Sequence, residues 1–234
     1  MTSRDATRPL VIAHRTCPQH APENSLLGIR RAAELGADVV EVDVRLSVEG
    51  RPLLLHDRTL RRTTGLIGPA YLRREPTILD REIGEGERVP SFAAALAALP
   101  RGLRMAVEIK VPRAVHPVLA EVVEQRAEDR VLIWARHPSV VRFVADRHPA
   151  IEVSLQHEAR TARALAATTT RCRAAGLSTR IEAVTPELVS EVRDLGLRLY
   201  ARCARADLVP ARLAGLDGVV TDWPEEARAV LDAP

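Results

Sequence analysis

The chain has 234 residues, 46% of them hydrophobic and only 3% aromatic, which provides an aliphatic core and excludes extended disorder. Its formal net charge of +3 comes from 34 basic and 31 acidic residues without a dense basic block, which argues against nucleic-acid binding. The three cysteines have no paired spacing, and no apolar run suits a signal peptide or transmembrane span, so we expect no disulfide framework, no zinc site and no stable membrane insertion.

The first part of the chain alternates between extended and helical segments. Residues 9–13 predict a first strand, and residues 24–35 have helical spacing. Residues 37–44 predict the second strand, and residues 51–57 return as a further extended run after a turn. Residues 58–89 show little periodicity, so we expect an excursion over one end of the domain.

The alternation is regular from Pro90 onwards. Strands are predicted at residues 103–110, 130–135, 151–155, 179–183, 197–202 and 217–221, and helices at 91–99, 113–126, 138–147, 158–169, 185–195, 206–213 and 224–231. Such alternation implies right-handed βαβ units and a parallel sheet. Eight units in a chain of this length are typical of an α/β fold, the (β/α)₈ TIM barrel, here with a short excursion after the second strand. We expect one domain over residues 1–234; an open doubly wound sheet is the alternative, although no GxGxxG turn follows the first strand.

Three acidic residues lie within or at the ends of predicted strands. Glu41 and Asp43 are two residues apart, so they project from the same face of the second strand. Two carboxylates on a buried face are costly unless a positive group lies between them. Glu108, in the stretch MAVEIK, ends another strand. Three oxygen ligands suit one divalent cation, Mg²⁺ or Ca²⁺, whereas Zn²⁺ sites typically have N and S ligands.

Basic and titratable side chains also occur where predicted strands end, which is the active-site end of such barrels. Arg15 offers a planar fork for two phosphate oxygens, and Lys110, the only lysine, offers a point charge. His14 and His56 have ordinary pKa values of about 6.5, which suit acid–base catalysis near neutrality. A cation, two basic side chains and two histidines together predict phosphodiester cleavage.

A long N-terminal stretch resembles the glycerophosphodiester phosphodiesterase family. It reads AHRTCPQHAPENSLLGIRRAAELGADVVEVDVRLSVEGRPLLLHDRTLRRTTG and contains His-Arg, Pro-Glu-Asn, Glu-x-Asp and His-Asp motifs. The later segments VPSFAAALAAL, VEIK and DGVVTDWPE resemble further parts of the family pattern. The resemblance implies a TIM barrel, a divalent cation, and hydrolysis of a glycerophosphodiester to glycerol 3-phosphate and an alcohol. It also implies that the substrate's own glycerol hydroxyl attacks phosphorus, giving a cyclic phosphate that water opens.

Matching motif positions imply an acid–base pair, a set of metal ligands, and residues that bind phosphate or order the site. These are, in that order, His14 and His56; Glu41, Asp43 and Glu108; and Arg15, Lys110 and Asn24.

Several positions depart from the family pattern. Thr16 stands where the family has glycine, so we expect an altered loop or a narrower pocket. Tyr200-Ala201-Arg202-Cys203 replaces Trp-Thr-Val-Asn, and by the period of two Tyr200 and Arg202 would face the pocket together and bind substrate. Arg136 also ends a strand. The two extra arginines predict a further anionic group on the substrate, or alternatively pair with nearby acids.

We therefore predict a cytoplasmic, metal-dependent phosphoric diester hydrolase that acts on a small-molecule glycerophosphodiester, with roles in lipid and glycerol metabolism. A lysophospholipase D-type reaction on lysophospholipids would use the same residues. A non-catalytic barrel that binds an anionic ligand or a protein partner is a further alternative, although a binding protein does not need this set of carboxylates and histidines. The head group, the choice between Mg²⁺ and Ca²⁺, and the oligomeric state stay open.

Overall fold

Eight parallel strands close into a barrel in the computed structural model, which describes residues 8–157 and 162–233. In chain order the strands are β1 (Leu10–Ala13), β2 (Val39–Leu46), β3 (Pro52–Leu54), β4 (Glu82–Gly84), β5 (Glu87–Arg88), β6 (Arg104–Ile109), β7 (Val131–Ala135), β8 (Glu152–Gln156), β9 (Gly176–Arg180), β10 (Arg198–Arg202) and β11 (Gly218–Thr221). The barrel follows the order β1, β2, β6, β7, β8, β9, β10 and β11, and β11 closes it by pairing with β1. The predicted barrel is thus confirmed.

Helices cover the outside of the barrel, except for two short ones that belong to the excursion. They are α1 (Leu26–Glu34), α2 (Arg61–Thr64), α3 (Glu75–Leu79), α4 (Phe92–Ala97), α5 (Val115–Glu124), α6 (Pro138–Arg147), α7 (Ala162–Arg171), α8 (Pro186–Asp194), α9 (Pro210–Leu213) and α10 (Pro224–Leu231). The two helices of the excursion are α2 and α3. Side chains of Ser25, Ser91 and Thr185 accept hydrogen bonds from backbone N–H groups in the first turns of α1, α4 and α8, which satisfies donors that lack intrahelical partners. In the described ranges, no helix combines the length and apolar character needed to cross a bilayer.

Several predicted elements differ in their bounds from the structure. The helix predicted at 206–213 is reduced to Pro210–Leu213, preceded by a 3₁₀ turn at Arg205–Asp207, and the extended run predicted at 51–57 forms a strand only at Pro52–Leu54. The strand predicted at 179–183 lies at Gly176–Arg180, and Ile181–Ala183 forms a 3₁₀ turn instead. The helix predicted at 24–35 begins only at Leu26, since Asn24 has a left-handed φ of 57°. The first four residues of the helix predicted at 158–169 lie outside the described residues.

Residues 58–89 form the expected excursion. They contain α2, α3 and the antiparallel hairpin of β4 and β5, while β3 pairs antiparallel with β2. The segment rests on its own small apolar cluster, which includes Leu53, Leu60, Ile78 and Val89. This cluster holds the excursion beside the strand that carries Glu41 and Asp43, so the excursion borders the carboxyl end of the barrel.

Tyr200 lies in the barrel interior and is fully buried, with its ring centroid 5.4 Å from that of Trp134. Its hydroxyl donates a 2.5 Å hydrogen bond to Glu152, the first residue of β8, and therefore points to the amino end of the barrel. The expectation that Tyr200 binds substrate is therefore wrong in this structure. The period of two does place Tyr200 and Arg202 on one face, but only Arg202 stands at the carboxyl end of β10.

Candidate active site

Three carboxylates meet where β2 and β6 run side by side. Asp43 and Glu108 are register partners in these parallel strands, and Glu41 lies two residues before Asp43 on the same face. All three are buried, with exposed fractions of 1–4%. One carboxylate oxygen from each lies within 4.8 Å of the others. The structure thus brings together the three residues that the sequence predicts as metal ligands.

Hydrogen bonds hold two of these carboxylates in fixed orientations. The backbone N–H of Arg15 donates to Glu41 Oε2 at 2.8 Å. Asn24 makes a reciprocal pair with Asp43: its Nδ2 donates to Asp43 Oδ2, and its Oδ1 accepts from the Asp43 backbone N–H, both at 2.9 Å. Asn24, which the sequence predicts to order the site, therefore holds the Asp43 carboxylate and backbone through two hydrogen bonds.

Lys110 supplies positive charge to this cluster. Its Nζ lies 2.7 Å from Asp43 Oδ1 and 2.7 Å from Glu108 Oε1, in ion pairs that lack the angles of good hydrogen bonds. Burial by itself would lower the pKa of Lys110, but Asp43, Glu108 and Glu41 outweigh it and raise that pKa. Lys110 is therefore held as an ammonium.

The positive side chains at this cluster contact Asp43 and Glu108, and among the described residues none forms an ion pair with Glu41. Burial and the neighbouring charges of Asp43 and Glu108 raise the pKa of Glu41 well above its ordinary value. Glu41 Oε1 is buried and has no hydrogen-bond partner within residues 8–157 and 162–233. A buried, unpartnered oxygen beside two other carboxylates fits a hard divalent cation, which would supply both the missing partner and the missing charge.

Each of the two predicted acid–base histidines has a carboxylate at its Nδ1. His14 Nδ1 lies 2.6 Å from Asp222 Oδ1, and His56 Nδ1 lies 2.7 Å from Asp57 Oδ1. These contacts leave Nε2 of both rings for chemistry in the pocket. Burial lowers the pKa of His14, and the hydrogen bond that His14 Nδ1 donates to Asp222 opposes that effect without cancelling it.

A chain of ion pairs links His56 to the phosphate-binding candidate Arg15. Arg62 Nε donates to Asp57 Oδ2 at 2.6 Å, and its terminal nitrogens donate to both oxygens of Glu23 at 2.6 and 2.9 Å. The hydrogen bond from Arg62, opposed by burial, lowers the pKa of Asp57, which stays ionised. Glu23 also accepts from Arg15 Nη1 at 3.4 Å. Sequence reasoning assigned no role to Glu23 or Arg62, since neither ends a strand.

The turn after β1 places Arg15 in the site. Arg15, Thr16 and Cys17 have φ values of 45°, 62° and 62°, a left-handed region that costs side-chain-bearing residues about 1–2 kcal/mol each. Thr16 is fully buried and accepts a hydrogen bond from the backbone of Ser25 at 3.2 Å. A Cβ at Gly28 would lie 2.3 Å from Thr16 Oγ1. Thr16 thus packs against α1 and does not line the pocket that the sequence predicted it to narrow.

A pocket opens among these side chains at the carboxyl end of the barrel. Its walls combine the predicted residues with polar side chains from the opposite strands. They are His14, Arg15, Glu41, His56, Glu108, Lys110, Trp134, Arg136, Gln156, Ser178, Thr179, Arg180, Arg202 and Val220. The sequence missed Arg180 because the predicted strand was displaced by three residues, which hid that Arg180 ends β9.

The two arginines singled out in the sequence have different surroundings. Arg136 Nε lies 3.6 Å from Glu108 Oε1, so an acid does contact it, as the alternative predicted. Arg202 forms no ion pair within 4.0 Å among the described residues, although its charge is close enough to lower the pKa values of His14 and Asp222.

Comparisons with known proteins find similar sequences and the same fold. A curated relative from Caldanaerobacter subterraneus subsp. tengcongensis, named glycerophosphodiester phosphodiesterase, is 30% identical over 93% of this chain and 96% of its own length. A solved phosphodiesterase from Oleispira antarctica, in complex with the product sn-glycerol-3-phosphate, shares the fold with a TM-score of 0.89 and 23% identity, covering 97% of this chain and 98% of that one. A glycerophosphodiester phosphodiesterase from Parabacteroides distasonis has a TM-score of 0.83 and 20% identity, covering 96% and 97%.

The sequence model of one family matches almost the whole barrel, residues 14–226. That range contains every carboxylate, histidine and basic side chain described above. The chain belongs to the glycerophosphoryl diester phosphodiesterase family.

Proposed function

We propose that this protein hydrolyses glycerophosphodiesters to glycerol 3-phosphate and an alcohol. One observation carries the proposal: two imidazoles, each with a carboxylate at Nδ1, line the same pocket as a buried three-carboxylate cluster. Acid–base groups and a cation site in one pocket are what cleavage of a phosphodiester requires. A protein that only bound an anion would gain nothing from three buried carboxylates.

We assign Glu41, Asp43 and Glu108 as ligands of one divalent cation, Mg²⁺ or Ca²⁺. When bound, such an ion stabilises negative charge on phosphoryl oxygens. Arg15 and Lys110 line the same pocket and would bind the remaining phosphate oxygens through a guanidinium fork and an ammonium.

We assign the two proton transfers to His14 and His56. The lowered pKa of His14 favours a neutral ring near neutrality, so its Nε2 can accept the proton of the attacking hydroxyl. His56 then gives a proton to the departing alcohol oxygen as the bond from phosphorus to that oxygen breaks, which leaves a cyclic phosphate when the attacking hydroxyl is the substrate's own. His56 next accepts a proton from a water that adds to phosphorus, and His14 returns its proton to the glycerol oxygen as the ring opens to glycerol 3-phosphate. Asp222 and Asp57 stabilise the imidazolium forms of their rings, as the aspartate of a Ser-His-Asp triad does.

The polar lining of the pocket supports water-soluble substrates. Among its residues only Trp134 and Val220 offer apolar surface, which is too little for the acyl chain of a lysophospholipid. We therefore favour a small diester over a lysophospholipase D-type reaction. We also propose that residues 1–234 act as one domain in the cytoplasm, where three buried free cysteines would stay reduced.

The test is release of glycerol 3-phosphate from glycerophosphoglycerol, with Mg²⁺ or Ca²⁺ added and then removed by a chelator. We expect metal-dependent turnover that falls by about 100-fold or more in Glu108→Gln, which loses one charged ligand. The exposed Glu187→Gln on α8 is the matched control and should behave like the parent protein. The proposal would be contradicted by a folded parent protein that turns over no diester with either ion, or whose turnover rate is unchanged when the chelator is added.

A further inference from the structure

A second cleft opens beside the catalytic pocket, between the end of β2, the excursion and the turn after β6. Three arginines line this cleft, which we call the arginine cleft: Arg45 in β2, Arg58 after β3 and Arg113 in the 3₁₀ turn Pro112–Ala114. Its other lining residues are Leu46, Ala70, Tyr71 and Val111. Among the described residues, no acidic side chain lines the arginine cleft, and none of its lining residues lines the catalytic pocket.

The hydrogen bonds of these arginines go to neutral groups. Arg45 Nε donates to the backbone oxygen of His56 at 2.8 Å, and Arg58 Nη2 donates to the Tyr71 hydroxyl at 3.3 Å. Over residues 8–157 and 162–233, no carboxylate oxygen lies within 4.0 Å of a side-chain nitrogen of Arg45, Arg58 or Arg113. The three guanidinium charges therefore have no ion-pair partner in this part of the chain.

Carboxylates at longer range do not fully compensate Arg45. Burial lowers the pKa of Arg45, and the charges of Asp43, Asp57 and Glu108 oppose that effect without cancelling it, while Arg58 adds to it. Each of these three carboxylates has a closer cationic partner of its own. Because a guanidinium stays protonated in proteins, the arginine cleft keeps an excess of positive charge.

Tyr71 holds two of the arginines at the cleft and adds a hydroxyl. The Cζ atoms of Arg58 and Arg113 lie 5.8 and 5.5 Å from the centroid of its ring, within the range of cation–π contacts. Both arginines are exposed, so these contacts restrain side chains that would otherwise extend into solvent. Because the Tyr71 hydroxyl accepts from Arg58, its own O–H can donate to a ligand.

This donor set fits the oxygens of a phosphate monoester. A guanidinium donates parallel hydrogen bonds to two phosphate oxygens, and a monoester carries nearly two negative charges at neutral pH. Three guanidinium groups and one hydroxyl therefore match both the charge and the number of acceptors of such a group. The arginines come from three separate segments of the chain, so only the folded protein assembles this set.

We propose that the arginine cleft is a second anion site, which binds a phosphate monoester group outside the catalytic pocket. The inference goes beyond the proposed function, because binding here needs neither the carboxylate cluster nor the histidines. The group can belong to a free phosphate monoester or to the headgroup of a lipid. Leu72, the residue after Tyr71, is 62% exposed, so an apolar side chain beside the cleft is available to a lipid surface.

Calorimetric titration with inorganic phosphate at constant ionic strength tests the proposal. We expect the parent chain to bind two phosphates and Arg15→Gln, which loses a guanidinium of the catalytic pocket, to keep the one at the arginine cleft. Adding Arg58→Gln or Arg113→Gln to Arg15→Gln should weaken this remaining binding about tenfold or more, since each removes a charged donor. Arg101→Gln, an exposed arginine before β6, is the matched control and should leave the affinity unchanged. Arg113→Gln in the parent chain should likewise lose one of two phosphates, so the result does not depend on the folding of Arg15→Gln.

Vesicles distinguish the two sources of the phosphate group. The full chain is sedimented with phosphatidylcholine vesicles that contain phosphatidic acid, a lipid phosphate monoester, or that lack it. Retention that falls in Arg58→Gln and Arg113→Gln but not in Arg101→Gln assigns the group to a lipid headgroup, whereas phosphate binding without such retention assigns it to a free monoester. The inference is overturned if Arg15→Gln binds no phosphate, or if Arg58→Gln and Arg113→Gln bind phosphate as the parent does. Either result leaves the proposed function standing, because that function is measured by diester turnover.

Discussion

Asn24 has a left-handed backbone conformation, and its side chain also forms hydrogen bonds with Asp43, a proposed metal ligand. Substitutions can separate these two properties. The Asn24 side chain satisfies both the backbone N–H and one carboxylate oxygen of the buried Asp43. Asn24→Gly removes both hydrogen bonds and keeps the left-handed φ of 57° accessible. A buried polar group left unpaired costs about 1–3 kcal/mol, so we expect the free energy of unfolding to fall by about 2–5 kcal/mol. Asn24→Ala loses the same bonds and adds about 1 kcal/mol of backbone strain.

Urea unfolding in the presence of a chelator measures these differences without a contribution from bound metal. Arg126, exposed after α5 with a φ of 51°, is the matched control, because the difference between its glycine and alanine variants gives the backbone strain alone. Calorimetric titration of Mg²⁺ and Ca²⁺ should show affinity about 10–100-fold weaker in Asn24→Gly, since Asp43 loses its orienting partner. Parent-like stability in Asn24→Gly, or equal stability of the glycine and alanine variants, would refute the reasoning.

Two further predictions address groups at opposite ends of the barrel. Asp222→Asn removes the interaction that raises the pKa of His14, so burial should lower that pKa further. We therefore expect the acidic limb of the pH profile of kcat/KM to move to lower pH and the plateau of kcat/KM to fall about 100-fold or more. An acidic limb that stays in place or moves to higher pH contradicts the role of His14 as the base. Tyr200→Phe removes the hydrogen bond to Glu152 and should lower the free energy of unfolding by about 1–3 kcal/mol in a urea titration. Its kcat/KM should stay within about twofold of the parent value, and a large loss of kcat/KM without a loss of stability would return Tyr200 to the substrate site.

The clustering of the three carboxylates and the two histidines at one pocket could be predicted, because it depends on local periodicity and on one property of the fold. Alternation along β2 places Glu41 and Asp43 on one face, and the parallel pairing of β2 with β6 brings Glu108 beside Asp43. A barrel of this topology gathers the carboxyl ends of all its strands. The three-carboxylate cluster could therefore be predicted without knowledge of any contact between side chains that are distant in sequence.

The partners that orient these groups could not be predicted in the same way. Asp222 is 208 residues from His14 in sequence, and only closure of β11 onto β1 brings them together. For Tyr200 the predicted strand face was correct, but the predicted position along the barrel axis was wrong. Its hydroxyl donates a hydrogen bond to Glu152 at the amino end of the barrel, away from the pocket. Periodicity gives the face of a strand, whereas depth in the barrel depends on the register of neighbouring strands.

The same distinction explains why substrate preference was the least predictable property. The catalytic half of the pocket depends on residues fixed by motifs, so a shift of a predicted strand by one or two residues does not change its composition. The lining of the opposite half depends on which residue ends β9, and the predicted strand at 179–183 concealed Arg180 as the register partner of Arg202. One correctly placed strand end puts two arginines that are distant in sequence side by side at the mouth of the pocket. The composition of this half therefore depends on register between neighbouring strands, which only the folded chain defines.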